Sequence, residues 1–307
     1  VRLYSSIILA FVYSAVAVPS VWAANYDVQF PNDKRLAQLT LVNTVTAGGK
    51  TVVRRNSINA QGRLSIPDNC MIEISLAYDG LAGFSMLRQL HARQIVVLNS
   101  NKQELEDSHL AKCADWTNLV SLKLSDSLVT DKSIPIIAGF TKLTELELSR
   151  TDVRGFNFEL LKNLVCVKKL NLQGLSLVPG ALTRLLTMKN LNAVDFARDS
   201  LTDEDMAVLS HFENLYIVSV NGNQKVTNAG LIKVAGLRNL YELHIVDTQA
   251  NEDLLPYLES KPRFVSLTVR ASRFWKKGLP SAKKWHFDIN DATKTYQVPA
   301  EFFNPLH

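Results

Sequence analysis

Apolar residues recur along this chain at an interval of 24 positions. The recurring unit is apolar-x-x-apolar-x-apolar. It starts at Leu119, Leu143, Val167, Leu191 and Leu215, and again at Leu240 and Phe264. The one step of 25 puts an inserted residue near Gln224. Stepping back by 24 reaches Ile95–Leu98 and then Met71, Ile74 and Leu76; in the Ile95 copy Ser100 stands where the third apolar residue belongs. A short run of alternating apolar positions predicts a strand. One such unit cannot cover its own apolar side, so the units must stack, with neighbouring strands ~4.8 Å apart.

The other half of each unit is periodic as well. Apolar residues lie nine, six and three places before each anchor, as in Ile134, Ile137 and Phe140 or Met206, Leu209 and Phe212. Spacing of three over so few residues predicts a short α-helical or 3₁₀ segment on the outer side. Cys113 and Trp116 fall on these positions and are therefore expected in the core. Val129-Thr130-Asp131, Leu201-Thr202-Asp203 and Val226-Thr227-Asn228 occupy equivalent places at the helix starts. Thr or Asp there accepts from amides left without partners in the first turn, and the preceding apolar residue packs back as a staple.

This pattern resembles the bacterial class of leucine-rich-repeat proteins whose units read Val-Thr-Asp-x-x-Leu-x-x-Leu-x-x-Leu-x-x-Leu-x-x-Leu-x-Leu. Residues 134–148 and 231–245 carry it best, and the resemblance covers roughly residues 64–285. Gly278-Leu279-Pro280 followed by lysines is similar to the way such arrays close. The resemblance implies an α/β solenoid, a horseshoe or arc with a parallel concave sheet and short helices on the convex side. It also implies binding of proteins or other polymers on that concave face, with no catalytic residue as a class. This chain departs from the pattern by lacking a regular asparagine after the strand: Ser127, Thr151, Leu175, Asp199 and Asn223 stand there.

The ends read differently. Residues 1–23 have Arg2 as their only charge, a nearly continuous apolar run, Pro19, and small residues at Val21 and Ala23. That is the pattern of a signal peptide cut after Ala23, with an uncleaved anchor as the rival reading. It places the chain outside the cytoplasm: periplasmic, cell-surface or secreted. Residues 24–63 are expected to cap the array. Leu36, Leu39, Val42, Val45 and Thr46 predict an amphipathic helix over 33–47 stopped by Gly48-Gly49, and 50–54 with 63–66 predict a capping hairpin. Residues 64–289 hold the repeats and closing segment, with an edge strand over 285–289, and 290–307 form an aperiodic tail. Ala47-Gly48-Gly49-Lys50-Thr51 lacks the spacing and context of a phosphate loop.

Charge divides the chain. Eight Lys or Arg and no Asp or Glu lie between Lys261 and His286; the other 26 basic residues face all 29 acidic ones, leaving −3. The three cysteines, Cys70, Cys113 and Cys166, form no disulfide framework and read as free thiols, a Cys70–Cys113 pair being the alternative. The six histidines show no metal-ligand spacing with one another or with cysteine. No cofactor, metal or enzymatic role is expected. Function is expected on the residues between the buried strand positions. The candidate partner-binding set is Lys123, Glu145, Glu147, Lys169, Asn171, Asp195, Asn221, Glu242, His244 and Arg270. The expected partner is a protein or an envelope polymer rather than nucleic acid. The alternative is attachment to a membrane or envelope surface through the basic aromatic segment 274–285, which carries Phe274, Trp275, Lys276, Lys277, Lys283, Lys284 and Trp285.

Overall fold

The computed structural model describes residues 24–47, 50–78, 80–269 and 286–288. The expected signal segment, Arg270, the basic aromatic segment and the expected tail lie outside them. Fourteen strands occur among the described residues. Four open the chain: β1 (Asn25–Gln29), β2 (Ala37–Ala47), β3 (Lys50–Asn59) and β4 (Arg63–Pro67). The repeats follow as β5 (Met71–Leu76), β6 (Ile95–Asn99), β7 (Ser121–Lys123), β8 (Glu145–Glu147) and β9 (Lys169–Asn171). They continue as β10 (Ala193–Asp195), β11 (Ile217–Ser219), β12 (Glu242–His244), β13 (Ser266–Thr268) and β14 (His286–Asp288).

Strands β5 to β14 stack in chain order as a parallel sheet, in the register that the sequence period demands. Leu122, Leu146, Leu170, Val194 and Val218 are successive partners across five strands. The insertion near Gln224 is absorbed in an exposed turn, and Ile217 still pairs with Glu242. At β5 the period slips by one: Ile72, not Met71, pairs with Ile95, and a bulge before Glu73 restores the register. The anchors are all buried, as are Cys113 and Trp116. Ser100, in the imperfect copy, is buried and donates its amide to Lys123 O at 2.9 Å. Short helical segments occupy the other side of each unit, including Asp203–Leu209 and Asn228–Ala235. Helices need more lateral room than strands, ~10 Å against ~4.8 Å, so the stack bends with the sheet on its concave side.

The Val-Thr-Asp positions act both within a unit and between units. Thr227 accepts from Ala229 N at 3.1 Å, capping its own helix. Asp203 reaches into the next unit and accepts from Thr227 N at 2.8 Å and Thr227 Oγ1 at 2.6 Å. Asp107 does the same for Thr130, at 2.9 and 2.7 Å. Gly230 makes room for this contact, since a Cβ there would lie 2.3 Å from Asp203 Oδ1.

The N-terminal region departs from expectation. Residues 37–47 are strand, not helix. β2 lies antiparallel to β5 and β3 antiparallel to β2, so a hairpin covers the open edge of the first repeat. Thr40, Val42, Thr44, Val45 and Thr46 are β-branched and favour this choice. The three-residue spacing misled because β2 places buried apolar residues on both of its faces. Leu39 and Leu41 join the main core, while Val42 joins Met71 and Val96 in a separate cluster on the opposite side of the sheet. The segments 50–54 and 63–66 are both strand but do not pair with each other; β4 pairs instead with β1 in a two-stranded sheet. His286–Asp288 forms the expected terminal edge strand beside β13.

Candidate functional site

The side of the sheet facing away from the helices carries three rows of side chains, one, two and four places past each anchor. The first row lies just before the strands proper, yet its backbone continues the sheet. Val120, Thr144, Lys168, Asn192, Tyr216, Tyr241 and Val265 each donate an amide to the preceding member's carbonyl, at 2.8–2.9 Å. Val120 lies with Val97 against the cluster of Val42, Met71 and Val96, across the sheet from the core. This fixes the side on which the row stands.

The expected site residues occupy the second and third rows. Glu145 pairs with Lys169 and Glu147 with Asn171 on adjacent strands, and Asp195 and His244 continue the third row. Lys123 lies between the two carboxylates, 3.1 Å from Glu145 Oε2 and 2.5 Å from Glu147 Oε1. Ser121 Oγ donates to Glu145 Oε2 at 2.9 Å, and Asn101 Nδ2 to Glu147 Oε2 at 3.3 Å. The side chains of Lys123 and both glutamates are mostly shielded, so this group is a held network rather than loose surface charge. Burial pulls the Lys169 ammonium below the usual lysine range, with Glu145 acting in the opposite sense.

Further along, the chemistry changes. Burial pushes the Asp195 carboxyl up, against hydrogen bonds from Ser219 and from the Ala197 amide, the latter at 3.1 Å. His244 Nε2 lies 2.8 Å from Glu242 Oε1. Asn221 belongs to the turn after the strand; its Oδ1 accepts from Val246 N at 2.7 Å and joins two units. No group of three or more His, Cys, Asp or Glu among the described residues is placed to hold a metal ion. No helix among them is long and apolar enough to cross a membrane. Cys70 and Cys113 are buried free thiols and Cys166 is an exposed one.

The candidate set omitted Tyr216 and Tyr241, which stand side by side in the first row and are partly exposed. Their signal is in the sequence: both follow an anchor directly, at Leu215 and Leu240. Strict alternation within a strand assigns that position to neither face, because it precedes the strand itself.

The register, the buried rows and the outer helical segments together have the architecture of a leucine-rich-repeat solenoid. Among solved structures, an internalin from Listeria monocytogenes is similar at 23% identity and a TM-score of 0.42, over 52% of this chain and 43% of that one. A leucine-rich-repeat protein from Leptospira interrogans is similar at 16% identity and a TM-score of 0.43, over 56% of this chain and 44% of that one. The chain thus spans less than half the length of either. No family model matches the sequence, and no curated protein matches it.

Proposed function

We propose that this chain is an exported, non-enzymatic binding or scaffold protein that recognises a protein or another macromolecule on the concave face of its sheet. The observation that carries the reading is the unbroken three-row array of side chains across β7 to β13, set in register by the backbone ladder. A broad surface of this kind presents many fixed polar groups at once, which suits a polymer partner. Its ionisable groups are engaged with one another, as in the Lys123–Glu145–Glu147 network and the Glu242–His244 pair, in place of a nucleophile poised beside a base. The export component rests on residues 1–23.

Replacing Glu145, Glu147, Lys169 and Glu242 together by their neutral amides or glutamine tests this reading. The altered protein should keep its far-ultraviolet circular dichroism and lose the partner that the native protein captures from its own envelope extract. Retention of that partner by a folded quadruple variant would place binding elsewhere.

A further inference from the structure

The two halves of the concave face differ in chemistry. Across β7 to β9, the three rows carry Lys123, Lys168 and Lys169 against Glu145 and Glu147, an excess of one positive charge. Across β10 to β13 the same rows hold no Lys or Arg; the acids are Asp195 and Glu242, with His244 beside Glu242. That half also holds the tyrosines of the rows, Tyr216 and Tyr241, next to Ile217 and Ala193.

Each feature narrows the choice of ligand. Two half-buried tyrosines at neighbouring backbone positions, with aliphatic Ile217 beside them, favour a long methylene stem or a planar guanidinium, through packing and cation–π attraction. Tyrosines on a rigid sheet are also the residue type in which interface energy concentrates. Asp195 is held in a poorly solvated place, with Ser219 and the Ala197 amide as hydrogen-bond donors. An incoming cation would add to the opposing influence that His244 and Arg150 already exert on it. Nearby Arg150, which also acts on Asp195, is committed to Asp126 by two hydrogen bonds of 2.5 and 2.7 Å.

We propose that the β10–β13 half of the concave face seats a cationic polypeptide segment, with an arginine or lysine laid on the Tyr216–Tyr241 ledge and its charge directed to Glu242 and Asp195. This rests on the concave-face reading above and names the chemistry of the partner.

The test uses the full chain with two fluorescein-labelled probes, hexa-arginine and hexa-glutamate, followed by fluorescence anisotropy at several salt concentrations. Hexa-arginine should bind with salt-sensitive affinity and hexa-glutamate should not. Affinity should fall at least tenfold in the Asp195→Asn/Glu242→Gln double variant and in Tyr216→Ala. Tyr216→Phe keeps the ring and should keep the affinity, which separates ring contact from loss of fold; a thermal melt of each variant checks the same point. Equal binding of both probes, or hexa-arginine binding indifferent to the tyrosine and carboxylate changes, overturns the proposal. No hexa-arginine binding, beside a native partner still lost in the quadruple variant, overturns the cationic ligand while leaving the concave-face reading intact.

Discussion

A single substitution at Asp199 should stabilise this protein. It stands in the turn after β10, in the column where the next unit carries Asn223. Asn223 is fully used: its Oδ1 accepts from Asp199 N at 3.1 Å and Leu201 N at 2.9 Å, and its Nδ2 donates to Phe196 O and Val220 O at 2.9 and 2.8 Å. Asp199 fills half of this role. Its Oδ1 accepts from Leu175 N at 2.7 Å, but its Oδ2 is buried with no partner. Burial pushes its carboxyl up to about 8, with Asp195 adding to the rise and the Leu175 and Gly174 amides opposing it.

Below the ordinary carboxyl range, folded and unfolded chains both hold the Asp199 proton, and the group costs nothing. Between about pH 4 and pH 8 the unfolded chain releases the proton while the folded chain keeps it, so stability falls as pH rises through that window. Each pH unit crossed costs about 1.4 kcal/mol, which sets an upper bound of about 4 kcal/mol by pH 7. Asp199→Asn removes the titration and supplies an Nδ2 donor directed, by the 24-residue equivalence, at Leu172 O and Phe196 O. At ~2–4 °C per kcal/mol for a chain of this size, the variant should melt roughly 5–10 °C higher near neutral pH. Calorimetric melts of both proteins from pH 4.5 to 9 would measure the gap, which should widen up to about pH 8 and then level. A gap that is constant with pH, or a variant that melts lower at pH 7, would refute the reasoning.

Two further outcomes follow from the stacking. Asp203→Ala removes both acceptors for Thr227 and leaves its amide at a helix start without a partner; the cost should be about 1–3 kcal/mol, with amide exchange accelerated first in Asn228–Ala235. Exchange unchanged in that helix would show that the bridge between units contributes nothing there. Among the thiols, Cys166 is exposed, whereas Cys70 is buried, donates to Pro67 O at 3.1 Å and is pushed up to about 11. Maleimide should therefore label one site rapidly in the native protein and three after denaturation, and a second rapid site would contradict the burial of Cys70 or Cys113.

The sequence by itself determined the repeat, the strand register and the core, because every internal unit meets the same neighbours. An apolar residue such as Leu146 lies between Leu122 and Leu170 wherever the array runs unbroken, so local spacing is already tertiary information. It also determined most of the concave face, including the expected Lys123, Glu145, Asp195 and Glu242 positions. Tertiary structure decided what lacks that translational equivalence. The first repeat has no unit before it, and the demand to cover its edge turned 37–47 into a strand with buried apolar residues on both faces, a pattern that period alone reads as helical. The partner of Asp203 lies one unit onward, and Tyr216 and Tyr241 pair because the sheet's backbone ladder begins one residue before its strands. The strain at Asp199 likewise arises only when its turn is closed over by the neighbouring units, which takes water from a carboxylate that the isolated sequence would leave solvated.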